Sequence, residues 1–140
     1  MKKRLLVLVA ALGLVMSGTP AYSAQFTFVN ISNNSGIASS LASQLLVDVT
    51  DSGANVDFKF TNSVGTASSI TDIYFDQVLA LFTGITSISD SGTGVAFASL
   101  ASPANLPEGG TIGFTADFSA DSDSPVSANG VDTASEWVTI

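Results

Sequence analysis

The residues best suited to chemistry lie in Asp121-Ser-Asp-Ser-Pro-Val-Ser-Ala-Asn-Gly-Val-Asp132. The side-chain oxygens of Asp121, Asp123, Asn129 and Asp132 are the hard donors that Ca²⁺ prefers, and calcium loops often run Asp-x-Asp. The spacing departs from the helical calcium loop. With Asp121 at position one, Pro125 falls at position five, Val126 at position six where a sharp turn needs Gly, and Asp132 rather than a bidentate Glu at position twelve. The segment therefore has two readings, an oxygen-donor loop for Ca²⁺ or a solvated acidic connection between strands. Apart from that ion, the residues imply no cofactor.

Other chemistry is narrowed by what the 140 residues lack. There is no His and no Cys, which removes imidazole bases, thiol nucleophiles, disulfides and the usual zinc sets. A Ser nucleophile would need Lys59 as its base, and Lys59 sits on the polar phase of a strand pattern. Paired carboxylates can hydrolyse glycosides only where two of them face each other across a cleft. The expectation is a non-catalytic protein.

A different reaction is written at the N-terminus, where the chain is itself the substrate. Met1-Lys-Lys-Arg4 is a basic start, Leu5 to Met16 an unbroken apolar run, and Ser17-Gly-Thr-Pro-Ala-Tyr-Ser-Ala24 a small-residue exit. That is the layout of an export leader. The run is shorter than the roughly 20 apolar residues that span a bilayer. Cleavage between Ser23 and Ala24 puts Ala21 and Ser23 at the two positions that must be small, whereas cleavage one residue later would put Tyr22 there. The expected partners at this stage are the Sec export machinery and signal peptidase. The expected destination is the periplasm or the extracellular space.

Removing the leader changes the charge balance. The 140 residues carry four bases and twelve acids, net −8, and three of the bases are Lys2, Lys3 and Arg4. Residues 24–140 keep one lysine against twelve acids, a net charge of −11. Such a chain cannot neutralise a phosphate backbone, so nucleic acid is excluded as a partner, and an anionic membrane surface repels it. No second apolar run of spanning length follows.

The elements that must position these residues read as strands. Leu45-Leu-Val-Asp-Val-Thr50 and Val56-Asp-Phe-Lys-Phe-Thr61 alternate apolar and polar residues, and the five residues Asp51 to Asn55 between them predict a hairpin loop. Gln25 to Ile31, Ser69 to Phe75, Leu79 to Ile88, Val95 to Leu100 and Thr111 to Ser119 add further strands, with Ile112 to Phe118 the clearest alternation among them. Leu41 to Gln44 fits one helical turn. Glu136 to Ile140 alternates as well, and reads either as the last edge strand or as a domain that continues. About seven short strands with Gly, Asn, Asp and Ser at the corners predict an all-β fold, an antiparallel β-sandwich over residues 24–140 behind a helical leader over residues 1–23. Phe28, Phe58, Phe60, Phe97, Phe114 and Phe118 fall on the apolar phase and are expected to fill its core.

Several segments carry a resemblance. Ser69-Ile-Thr-Asp-Ile-Tyr-Phe-Asp76, Gly94-Val-Ala-Phe97, Ala101-Ser-Pro-Ala-Asn-Leu-Pro107, Gly109-Gly-Thr-Ile112, Phe118-Ser-Ala-Asp-Ser-Asp-Ser-Pro-Val126 and Asn129-Gly-Val131 resemble the globular part of bacterial exported proteins of the PEP-CTERM class, the substrates of exosortase. The resemblance runs from Asp48 to Ile140. Members typically continue into more strands, a Pro-Glu-Pro motif, an apolar span and a basic cluster, and these 140 residues contain no such tag. The resemblance implies export in a Gram-negative bacterium that makes extracellular polysaccharide, with a structural or binding role at the surface or in the matrix. A calcium-dependent adhesion or carbohydrate-binding module is the alternative that Asp121, Asp123, Asn129 and Asp132 would serve. The leader makes the first testable statement: intact-mass measurement of the product exported by a bacterium should give an N-terminus at Ala24, and Ala21→Tyr should leave the leader attached.

Overall fold

The structure is a computed structural model that describes residues 22–31 and 38–140. The leader expected over residues 1–23 lies outside the described residues except for Tyr22 and Ser23. In chain order the elements are β1 (Ser23–Thr27), α1 (Ala38–Gln44), β2 (Leu45–Ser52), β3 (Asn55–Asn62), β4 (Asp72–Phe75), β5 (Ser89–Asp90), β6 (Phe97–Ser99), α2 (Gly109–Ile112), β7 (Phe118–Ser122), α3 (Val126–Asn129) and β8 (Trp137–Thr139). The eight strands form two antiparallel sheets, one ordered β1-β2-β3-β8-β5 and one ordered β4-β7-β6. The described residues are therefore mostly β with three short helices, and α1 contains the expected turn at Leu41 to Gln44.

The β2–β3 hairpin follows directly from period-two alternation. Val47 pairs with Phe60 and Val49 with Phe58 on one face, while Asp48 pairs with Lys59 on the other. The loop is tighter than the five residues expected. Asp51 and Ser52 extend the ladder to Val56 and Asn55, leaving only Gly53 and Ala54 to turn. Gly53 takes φ 78°, the backbone that a two-residue hairpin loop demands, and its N–H donates to Asp51 Oδ1 at 2.8 Å.

Alternation elsewhere proves a weaker guide. Leu79 to Ile88 forms no strand, and Ser69 to Phe75 is a strand only from Asp72, with Ile70 bridging Val131. Val95 to Leu100 shortens to β6. The clearest pattern, Ile112 to Phe118, is not a strand until its last residue. Gly109–Ile112 instead closes one helical turn, ended by Gly113 at φ 73°. An alternating segment becomes a strand only where another strand offers it an edge, and glycines at 109, 110 and 113 favour the turn that takes the chain elsewhere.

The two sheets meet across one apolar cluster, Phe60, Ile73, Val95, Val131 and Val138. Of the six Phe expected inside, Phe60 alone is buried; Phe58, Phe97, Phe114 and Phe118 are half-buried and Phe28 is 40% exposed. Strand β8 does not lie at an edge. It inserts between β3 and β5, and the ladder runs on to Ile140, whose N–H and carbonyl exchange hydrogen bonds with Phe58 at 3.1 and 2.9 Å. Gly130 is buried where the chain passes Ile70, and a Cβ there would run into Ser69 Oγ and the Ile70 carbonyl.

A buried polar pair joins the large sheet to the loop that leads into the small one. Asn62 occupies the inward phase of β3 and is 1% exposed. Its Oδ1 accepts from Gln44 Nε2 at 2.9 Å, and its Nδ2 donates to the carbonyls of Ser68 (2.9 Å) and Val131 (3.2 Å). Gln44 Oε1 accepts the amides of Gly65 and Thr66 at 3.1 and 2.8 Å, and its Nε2 also reaches the Thr66 carbonyl at 2.8 Å. Replacing Asn62 by Ala strands several buried groups at once, so urea denaturation should show a loss of about 3 kcal/mol. Asn62→Leu, which keeps side-chain volume, should lose about as much; a wild-type midpoint in either variant would contradict this role.

Candidate functional site

The structure separates the four oxygen-bearing residues of the 121–132 segment. Asp121 lies in β7 opposite Asp72 of β4. Antiparallel partners share a face, so Asp121, Asp72 and Tyr74 stand together on the outer side of the small sheet. Tyr74 donates its hydroxyl to the Pro103 carbonyl at 2.8 Å. Burial, then the negative charges of Asp72 and Asp121, push its pKa up. Asp123 and Asn129 do come together, through Asn129 Nδ2 donating to the Asp123 carbonyl at 3.0 Å, and both amide and carbonyl groups here also tie to Ala96. Asp132 belongs to a third group.

That group is a capped turn at Asp132 to Glu136. Glu136 Oε2 accepts the amides of Asp132 and Thr133 at 2.9 and 3.0 Å. Burial pushes the Glu136 carboxyl up, but these amide bonds outweigh it and its pKa is lowered. Asp132 moves the other way, raised by burial and by the hydrogen bond and charge of Glu136. Glu136 also approaches Gly94, where a Cβ would meet Oε1 at 2.7 Å. Among the described residues no three Asp, Glu, His or Cys side chains converge as a metal set.

The concave feature lies elsewhere, at the end of the molecule near the β2–β3 turn. A pocket of about 420 Å³ is walled by Phe58, Phe75, Phe82, Phe118 and Ile140. Phe58 stands edge-on to Phe75 (5.1 Å between centroids) and to Phe82 (5.9 Å), so its ring holds two walls together. The loop over the pocket is shaped by Gln77. Its backbone N–H donates to Asp117 Oδ2 at 2.9 Å, its Oε1 accepts the amides of Leu81 and Phe82 at 3.0 Å each, and its Nε2 donates to the Phe82 carbonyl at 3.2 Å. Asp76 Oδ2 accepts the Thr115 amide at 3.0 Å. Gln77 and Asp76 thus already serve the backbone, while Asn55, Thr83 and Thr86 add polar groups to a lining that is otherwise mostly apolar. Val78, Leu79 and Leu81 extend the apolar surface outside, 99%, 66% and 73% exposed.

This pocket is invisible to strand-based reading, which takes Leu79 to Ile88 as a strand. One signal was available: Val78-Leu-Ala-Leu-Phe82 is a continuous apolar run without the polar phase that a half-buried strand carries. Lys59 is far from any such chemistry. It is exposed on the outer face of β3, with Nζ 4.8 Å from the Trp137 ring.

Two antiparallel sheets and an aromatic end pocket define the chain as a mostly-β protein with a preformed apolar cleft. Comparison with protein families, with curated proteins and with solved structures returns no match. The described residues include no helix long and apolar enough to cross a membrane.

The capped turn has a definite pH signature. Because the folded-state pKa of Glu136 is depressed, its contribution is present above the unfolded carboxylate range and lost as pH falls through the folded value. Glu136→Gln should therefore lower Tm at pH 7, and the gap between variant and wild type should close on acidification. A gap that is constant with pH would contradict the carboxylate's role.

Proposed function

We propose that the chain is a non-catalytic β-sandwich module, exported and acting structurally or by binding in the periplasm, at the cell surface or in the extracellular polysaccharide matrix. Its binding site is the end pocket. The observation that carries this reading is the wall of Phe58, Phe75, Phe82 and Phe118 around about 420 Å³, with Asp76 and Gln77 committed to backbone hydrogen bonds. Ligand pockets are concave and mostly apolar, with volumes of roughly 300 to 1,000 Å³. An apolar or aromatic group, carried by a small molecule or at the end of a larger partner, matches that lining.

Export is supported by the leader signature, and the surface or matrix setting by the PEP-CTERM resemblance, which rests on sequence segments alone. The net charge of −11 on residues 24–140 keeps such a module soluble and disfavours nucleic acid and anionic membranes. Calcium is less well served, because Asp121 and Asp132 turn to separate neighbours.

A neutral fluorescent probe, N-phenyl-1-naphthylamine, tests the pocket without competing against the protein's charge. Its emission should rise saturably with one site per chain. Phe82→Asp, at a residue 39% exposed, should weaken binding by at least about tenfold while leaving Tm near wild type. No saturable rise, or equal affinity in the variant, would sink the proposal.

A further inference from the structure

Among the described residues nothing pairs with the outer side of β1, an edge of the five-stranded sheet, and β1 lacks the usual defences of an edge. Natural edges are blunted by charge, proline, bulges or brevity. The opposite edge, β5, is only two residues long. Strand β1 has five residues, of which Ala24 to Thr27 remain after the expected cleavage, and from Ala24 to Ile31 the chain contains no charged side chain, no Pro and no Gly. That stretch, free of acids, sits in a leader-free chain whose side chains sum to −11.

The ladder shows which groups are free. Asp51 donates its amide to the Tyr22 carbonyl at 3.1 Å, so Tyr22, Ala24 and Phe26 turn their backbone groups toward β2. In an antiparallel pair the direction alternates, and the N–H and C=O groups of Ser23, Gln25 and Thr27 therefore point away from the sheet. The side chains tell a parallel story. Phe26 pairs with Val47, which pairs with Phe60, so all three lie on the face that carries the core. Phe60 is 5% exposed there but Phe26 is 54% exposed, because the three-stranded sheet does not reach across β1. Phe28, stacked on Phe60 at 6.3 Å, is 40% exposed, and Val29 and Ile31 beyond it are 85% and 44% exposed.

We propose that β1 is a dimerisation edge, at which two copies of this chain pair their β1 strands antiparallel about a two-fold axis. The occupant is a second copy because the two needs are self-complementary. The outward amides and carbonyls of Gln25 and Thr27 find the same groups on an identical strand, and each overhanging Phe26 finds the other copy's apolar overhang. Charge argues the same way: two acidic chains repel one another over most of their surfaces and approach most easily where both are neutral. Pairing would join two five-stranded sheets into one continuous sheet.

The chain, expressed with its leader and recovered from the exported fraction, should sediment as a monomer–dimer equilibrium. Added NaCl should raise the dimer fraction, since screening relieves repulsion between like-charged copies. Gln25→Pro deletes an amide that points outward and keeps the backbone ladder to β2, at the loss of one exposed side-chain bond to Asp48 Oδ1; it should raise the dimer dissociation constant by at least about tenfold with an unchanged β-sheet circular dichroism spectrum. Phe26→Asp, which places like charges across the axis, should do the same. In the wild-type dimer, the Gln25 and Thr27 amides should be protected from hydrogen exchange. A monomer at every concentration, a dimer indifferent to both variants, or a dimer whose Gln25 and Thr27 amides exchange freely, as in an exchange of β1 between copies, would overturn the proposal.

Discussion

The hydrogen-bonded pair Gln44–Asn62 is the constraint through which the two sheets are tied into one fold. Its four polar atoms tie the end of α1 and the end of β3 to the connection at Gly65 to Ser68 and to the carbonyl of Val131. Gln44, the stretch from Asn62 to Ser68, and Val131 come from three separate parts of the chain. Burying two amides costs free energy unless every group is met, and here each amide engages several backbone groups. Apolar packing alone would not select this arrangement, because Phe60 and Val138 could pack against many apolar neighbours. The amides accept only the one loop path that satisfies them, and that path delivers Ile70 to Val131 and Ile73 to the core.

With the centre so fixed, the unequal widths of the sheets decide what the surface offers. Five strands face three, and the smaller sheet covers the region of β3 and β8. Two apolar areas are left over. At the β2–β3 turn, the rings beside Phe58 remain open because the chain crosses from β4 to β5 as a loop held by Gln77 instead of a covering strand. At β1, Phe26 extends past the other sheet altogether. Both follow from the same geometry.

Legibility followed how local each feature is. The β2–β3 hairpin could be read because its alternation, its polar turn and its partner are adjacent in the chain, and the structure departs by carrying the ladder two pairs further at the turn and one, Leu45 with Asn62, at the other end. Ile112 to Phe118 alternates just as clearly yet holds no strand before Phe118, since Gly113 and the two glycines before the segment turn the chain and no edge is offered to it. The polar pair was partly legible. Asn62 continues the inward series Val56, Phe58, Phe60, and a polar residue on a core phase calls for a partner; nothing in the chain marks Gln44 as that partner. The acidic segment read as one loop is divided because Asp121 is captured by β7 and Asp132 by the turn that Glu136 caps.

The sequence by itself determined the composition-level properties: the acidity, the absence of imidazole and thiol chemistry, the preponderance of β structure and the central hairpin. These depend on residue type or on near neighbours. Tertiary structure decided that β8 enters between β3 and β5, that the acids of residues 121–132 part company, and that an aromatic pocket opens under Val78 to Phe82. Each of those outcomes depends on which strand edge or ring lies beside a residue in space. Alternation specifies a face, and only the path of the whole chain specifies what that face meets.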